Sequence, residues 1–119
     1  MEQPVVLWYV AAATFLLCHE MDSAYWREWE MFRLPGGPGL FMALHLPLVA
    51  LVLAGLLSLA AGGGFGRVMA WALAGAGVLA AGLHGGFLLA GRPEFRSPVS
   101  LGILAGGVLT ALGLAGSLL

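Results

Sequence analysis

The chain has 119 residues, of which 61% are hydrophobic and only 9% are charged. A soluble domain carries about 25% charged residues. This composition has too few polar residues for the surface of such a domain, so it predicts an integral membrane protein. The formal net charge of −1 gives no reason to expect nucleic-acid binding. Because Cys18 is the single cysteine, an intrachain disulfide is also excluded.

Four segments are long and apolar enough to cross a bilayer core of about 30 Å, which needs about 20 helical residues. We predict transmembrane spans at about 4–23, 40–61, 68–90 and 98–119. The first residues lack the positive region of a signal peptide, so we expect the first span to stay in the mature protein. Because the connections are short, the predicted fold class is all-α, a single-domain bundle of four antiparallel transmembrane helices over residues 1–119.

The first span is uncharged only as far as Cys18, which is too short a run to cross a bilayer. We therefore expect its helix to continue through Trp29 or further, until the breaker cluster at 35–39 ends it. On such a helix His19 and Asp22 share one face, and Glu28 lies on the far side.

The second and third spans each contain one histidine. His45 precedes Pro47, which leaves one backbone carbonyl of its helix without the usual donor, and His84 lies near the end of the third span. Ser97 and Pro98 predict the start of the fourth span, as an N-cap and a first-turn proline. Glycine pairs at four-residue spacing predict close helix–helix contacts in lipid: Gly82 with Gly86, and Gly102 with Gly106.

The arginines predict the orientation of the chain. Four arginines fall in the two connections on one side, and Arg67 alone falls on the other. The four are Arg27, Arg33, Arg92 and Arg96, the last two in a polar loop with Glu94. By the positive-inside rule we expect both termini to face away from the cytoplasm.

If the four spans form an up-down bundle, all three histidines are expected near the same membrane face. Ionisable groups in lipid cost about 2.5–3.5 kcal/mol each on insertion scales and usually mark function. Imidazole nitrogens and carboxylate oxygens are suitable ligands for zinc or non-haem iron. The candidate metal ligands are His19, His45, His84, Glu20 and Asp22. The candidate catalytic carboxylates are Glu20, Asp22 and Glu28.

Each candidate also has a structural interpretation. The ring of His45 or His84 could bond a backbone carbonyl freed by Pro47 or by a neighbouring turn. Glu28 and Glu30 could be solvated helix ends that pair with a nearby arginine, and the acidic residues around His19 could be an interfacial cluster whose charges reach water. The aromatic residues of this stretch are typical of the belt at the headgroup level: Tyr25, Trp26, Trp29 and Phe32.

Five motifs are spread along the chain: His19-Glu20-x-Asp22, Glu28-Trp29, Leu44-His45-x-Pro47-Leu48, His84, and Glu94-Phe95-x-Ser97-x-x-Ser100. Their spacing resembles that of a family of small, uncharacterised bacterial integral membrane proteins. The resemblance covers nearly the whole chain and implies the same four-span fold in a bacterial inner membrane. That family has no assigned reaction, so the resemblance implies no catalytic role. Its members often have a further histidine one turn before His84, where this chain has Ala80 or a neighbour.

Three functions fit these residues. The favoured one is a metal-binding protein, and its extension is a metalloenzyme that acts on a lipid-soluble substrate. In that enzyme the metal would activate water or polarise a carbonyl, and a carboxylate would be the general base. The second is a haem b protein with His45 and His84 as axial ligands. The third is an accessory subunit or homo-oligomer whose helices pack against a membrane partner. A proton or ion carrier is less favoured, because no continuous polar pathway is visible.

Overall fold

The computed structural model describes residues 3–91 and 96–119. The polar loop predicted at Arg92 and Glu94 lies outside these residues. The described chain forms five helices: α1 (Gln3–Tyr25), α2 (Glu28–Met31), α3 (Gly37–Ala60), α4 (Gly64–Leu89) and α5 (Pro98–Leu118). All but α2 are long and apolar enough to cross a membrane, which confirms the predicted all-α bundle of four spans.

The first helix ends earlier than predicted. α1 stops at Tyr25, so the expectation that it continues through Trp29 is wrong. Arg27 adopts a left-handed backbone conformation with a φ of 56°, which is uncommon for a residue other than glycine. The chain then forms the single turn of α2, and Arg33 is again left-handed with a φ of 55°. This break takes Glu28 off the helical periodicity of α1.

The four long helices contact one another in a ring. The most extensive contact is between α1 and α5, followed by those between α4 and α5 and between α3 and α4, while α1 also meets α3 and α4. The contacts join the beginning of one helix to the end of its neighbour. The hydroxyl of Tyr9 in α1 donates to the carbonyl oxygen of Val52 in α3 at 2.6 Å, and Arg67 in α4 donates to the carbonyl oxygen of Leu118 in α5 at 2.9 Å. An antiparallel bundle makes such contacts.

The apolar core occupies the half of the bundle that contains the start of α1 and the end of α5. Its buried residues are Val5, Tyr9, Ala12, Val52, Leu59, Ala70, Leu73, Ala74, Leu114 and Leu118. Since lipid tails are as apolar as these side chains, close packing rather than escape from water holds the helices together. At Gly66 a Cβ atom would overlap the backbone of Leu59, so only glycine allows α4 to approach α3 this closely.

The glycine pairs predicted to bring helices together behave differently. Gly106 packs directly against the ring of Phe15, as expected. A Cβ atom at Gly82, Gly86 or Gly102 would meet nothing within 4 Å in the described chain, so the prediction of close contacts within the bundle is wrong for these three.

The predicted start of the fourth span is confirmed. The side chain of Ser97 accepts a hydrogen bond from the backbone N–H of Ser100 at 3.1 Å, and Pro98 is the first residue of α5. The hydroxyl of Ser97 also donates to the hydroxyl oxygen of Ser100 at 2.9 Å. This cap fixes where α5 enters the polar half of the bundle.

Candidate metal centre

Polar side chains are buried in the half of the bundle opposite the apolar core. His19 and His84 are 4% and 1% exposed, and Ser23 and Ser100 are also buried in this half. These groups come from α1, α4 and α5, so the site is built between spans rather than on one helix. Of the three histidines predicted to share a membrane face, two, His19 and His84, are thus brought into contact.

Three side chains from three different elements converge in this half. One ligand atom each from His19 of α1, Glu28 of α2 and His84 of α4 lies within 4.8 Å of the other two. The Nε2 atom of His84 is 3.1 Å from Oε1 of Glu28. The rings of His19 and His84 meet edge to face, with centroids 4.5 Å apart and planes at 86°. Two ligand atoms of a tetrahedral zinc ion lie about 3.3 Å apart, and the pair of His84 and Glu28 has this spacing.

The ring of His84 is oriented by its own helix. Its Nδ1 atom lies 2.8 Å from the carbonyl oxygen of Ala80, one turn earlier in α4. A carbonyl only accepts, so Nδ1 carries a hydrogen. The 3.1 Å contact between Nε2 and the carboxylate of Glu28 then needs a proton between these two atoms, and a bound metal ion would take the place of that proton. Metal-binding histidines are commonly fixed by such a bond from the nitrogen that does not bind the metal. The Nε2 atom of His19 makes a longer contact of 3.5 Å with the hydroxyl of Ser23.

The position of Glu28 corrects one interpretation made from the sequence. Its side chain is 14% exposed and lies on His84, so it is not a solvated helix end paired with an arginine. That description fits Glu30, which pairs with Arg27 at 2.7 Å on the surface. Burial by itself would raise the pKa of Glu28, but the neighbouring His84 and Ser23 side chains outweigh it and hold this pKa below its ordinary value. Glu28 is therefore an ionised carboxylate at neutral pH, as metal binding requires.

The remaining candidates lie outside this group of three. His45 and Glu20 pair with each other, with Nε2 of His45 2.6 Å from Oε2 of Glu20. The Nδ1 atom of His45 donates to the carbonyl oxygen of Phe41 at 2.6 Å, so this ring is held in the same manner as His84. The Oδ2 atom of Asp22 is buried and has no hydrogen-bond partner in the part of the chain that the structure describes.

The family model that matches this sequence covers residues 5–119 and is described as a family of unknown function, DUF6713. The chain belongs to this family. The match includes all four spans and every member of the converging group, which agrees with the resemblance to an uncharacterised family. No curated protein and no solved structure matches the chain.

Aromatic residues support the polar half of this DUF6713 protein from two positions. Trp29 is only 7% exposed and packs against Phe41 with ring centroids 5.1 Å apart, so it is not part of a belt at the headgroup level. Phe41 in turn contacts the ring of His45 at 4.1 Å. Tyr25 is 75% exposed, as expected for the belt. Burial of Trp29 anchors α2 and with it the adjacent Glu28.

Two cavities meet at Glu20. One has a volume of about 200 Å³ and is lined by the converging group of His19, Glu28 and His84 together with Glu20. The other has a volume of about 280 Å³, lies between α1 and α3, and is lined by Glu20 and His45 among apolar residues. Glu20 therefore lies between a cavity that contains the converging group and a second cavity with apolar walls.

Proposed function

We propose that this protein is an integral membrane metalloprotein that binds one divalent ion, zinc or iron, through His19, Glu28 and His84. The observation that carries the proposal is the convergence of one ligand atom from each of these residues within 4.8 Å. Two imidazole nitrogens and one carboxylate oxygen form a donor set that zinc and non-haem iron both accept. The hydrogen bond from Nδ1 of His84 to the carbonyl oxygen of Ala80 supports it, because it directs Nε2 into the group.

Three protein ligands favour a catalytic role over a purely structural one. Structural zinc sites are usually closed by four protein ligands, whereas catalytic sites keep one position for water or substrate. The cavity of about 200 Å³ beside the group leaves space for such a molecule. A metal in this place would polarise a carbonyl or activate water, and we assign Glu20 and Asp22 as the nearby carboxylates that accept a proton. This is the basis for proposing an enzyme that acts on a lipid-soluble substrate.

The haem b alternative has less support. Two axial histidines must present Nε2 atoms to the same iron, yet Nε2 of His45 lies on Glu20 and Nε2 of His84 lies on Glu28. Haem would also leave the carboxylates that hold both rings without a role. We therefore retain haem only as an outcome that the experiment below can detect.

The test is metal analysis of the detergent-purified protein after equilibration with zinc or iron(II) and removal of excess ion. We expect about one ion per chain for the unaltered protein. Glu28→Ala and His84→Ala should each weaken binding by at least about ten-fold, since removing only a supporting partner of a ligand already costs that much. Glu30→Ala is the matched control, because Glu30 lies in the same short helix but is exposed on Arg27.

Three results would contradict the proposal. Less than a stoichiometric amount of ion in the unaltered protein under every loading condition would exclude the metal centre. An absorption spectrum with a haem Soret band that disappears in both His45→Ala and His84→Ala would establish the haem alternative. A stable, metal-free bundle that tolerates His84→Phe without loss would instead support an accessory subunit.

A further inference from the structure

His45 of α3 and Glu20 of α1 form a second pair of a fixed imidazole and a carboxylate. The Nδ1 atom of His45 donates to the carbonyl oxygen of Phe41, four residues earlier, at 2.6 Å, and Nε2 lies 2.6 Å from Oε2 of Glu20. His84 is held in the same way by the carbonyl oxygen of Ala80, also four residues earlier. Such a bond, from the nitrogen that does not bind the metal, commonly supports a metal-binding histidine. Two imidazoles of this protein are therefore oriented in the manner of metal ligands.

The second pair lies beside the converging group. Glu20 directly follows His19 in α1, and it lines the cavity of about 200 Å³ that the converging group also lines. Electrostatic interactions join the two sets of side chains, Glu20 with His84 and Glu28 with His45. The cavity on the other side of Glu20 has apolar walls, so the polar atoms of the pair do not face it. The pair and the converging group are therefore parts of one polar region.

An ion pair alone is a costly way to join α1 to α3. Ionisable groups within lipid cost about 2.5–3.5 kcal/mol each on insertion scales and usually mark function. Apolar residues of similar volume often replace a buried ion pair with no loss of stability, and Leu44 and Leu46 on either side of His45 are apolar. The presence of the pair therefore favours a role in binding rather than in stability.

The donors of the pair and the space beside it suit a metal ion. One imidazole nitrogen and one carboxylate oxygen, completed by water, form an oxygen-rich set that iron(II) and manganese(II) accept. A six-coordinate ion with two protein ligands needs about four waters of about 30 Å³ each, and the cavity of about 200 Å³ has room for them. Four-helix bundles hold paired iron or manganese ions between glutamates and histidines of facing helices.

We propose that His45 and Glu20 bind a second divalent ion, iron(II) or manganese(II), beside the proposed metal centre. That the second ion forms a pair with the first rests on the proposed function, whereas its binding by His45 and Glu20 does not. Two-metal sites place their ions about 3.5–4 Å apart. Because a carboxylate has two oxygens, Glu20 can contact both ions. Asp22 is then the carboxylate left to accept a proton.

The experiment is equilibrium dialysis of the detergent-purified protein against manganese(II) at increasing free concentration, with the bound ions counted by metal analysis. An ion held by two protein side chains is bound more weakly than one held by three, so it is detected at equilibrium and is lost when excess ion is removed. We expect about two ions per chain at saturation. The EPR spectrum of that protein should show magnetic coupling between two manganese ions.

His45→Ala should weaken binding of the second ion by at least about ten-fold, since loss of a mere supporting partner of a ligand already costs that much. The magnetic coupling should disappear while the first ion stays bound. Glu20→Gln, which keeps the shape of the side chain, should have the same effect and serves as the second variant should His45→Ala fail to fold. Leu46→Ala is the matched control, because Leu46 is the next residue of α3 and is 75% exposed.

The outcomes separate the two ions. Saturation at one ion that His84→Ala removes would overturn the second ion and leave the proposed metal centre standing. Saturation at one ion that His45→Ala removes and His84→Ala retains would uphold the second site and refute the first. Two ions that both persist in His45→Ala, or two ions without magnetic coupling, would overturn the pair. Absence of bound manganese at every concentration would refute both sites.

Discussion

The two halves of this bundle bury different chemistry. Around Tyr9, Leu59 and Leu114, the interior is apolar and the helices touch through glycines. Around His19 and His84, the buried residues are polar and two cavities remain between the spans. The same four helices thus close tightly at one end and stay apart at the other.

This difference separates the residues that stabilise the bundle from those of the candidate site. Helices in lipid gain little from burying apolar surface and associate through close packing, which the glycine contacts of the apolar half supply. The polar half has groups that are costly in lipid and lacks the tight contacts that would repay that cost. A protein arranged in this way holds its spans together in one half and encloses the group of His19, Glu28 and His84 in the other.

The largest expected effect comes from breaking the tight half. Gly66→Leu places a side chain where the backbone of Leu59 lies, and overpacking of this kind costs about 1–3 kcal/mol or more. We expect a loss of about 3 kcal/mol in the free energy of unfolding, measured by denaturation in mixed detergent micelles. Gly82→Leu, on the same helix but in open space, should change it by less than about 0.5 kcal/mol. Similar losses in both variants would contradict the contrast between the halves.

Metal should stabilise the protein through the polar half alone. At a free zinc concentration one hundred times Kd, binding to the folded state should add about 2.7 kcal/mol to the free energy of unfolding. Glu28→Ala should abolish most of this gain, and Glu30→Ala should retain it because Glu30 lies on the surface. A gain of equal size in all three proteins would show that zinc binds elsewhere. The measurement is the same denaturation, with and without zinc.

The smallest effect concerns one hydrogen bond between helices in the tight half. Tyr9→Phe removes the bond from its hydroxyl to the carbonyl of Val52 and should cost about 1 kcal/mol. Thr14→Val is the control, because the hydroxyl of Thr14 bonds Val10 within its own helix and is exposed. Thr14→Val should lower the free energy of unfolding by less than Tyr9→Phe does. A larger decrease in Thr14→Val would indicate that α1 and α3 are not joined through Tyr9.

The sequence was sufficient for the spans and for the polar half, but not for the partners within that half. Length and hydropathy define the spans, and the depth of His19 and His84 places them at one face. Glu28 was assigned to the far side of a continuing helix because the uncharged run that ends at Cys18 is too short to cross a bilayer. The helix nevertheless breaks at Arg27. Burial of Trp29 on Phe41 and the contact of Glu28 with His84 accompany that break, and both depend on residues distant in sequence.

Glycine spacing was similarly informative only in part. Gly106 meets Phe15, whereas Gly82 and Gly86 at the same spacing meet nothing in the described chain. Spacing marks where close approach is possible. Which neighbouring helix makes that approach depends on how the spans are arranged around the ring, and no local pattern records this.

The short helix α2 gives the three converging residues unequal freedom. His19 and His84 are fixed to membrane spans, but Glu28 lies on a single helical turn between two left-handed arginines. Such backbone conformations cost of order 1 kcal/mol each, so the turn stores strain that rearrangement of the segment would release. A rearrangement of α2 would move Glu28 while both imidazoles stay in place, and the burial of Trp29 on Phe41 opposes it. For the proposed metal, the carboxylate side of the coordination shell is therefore the one that a surface segment controls, and the bilayer-embedded scaffold need not open.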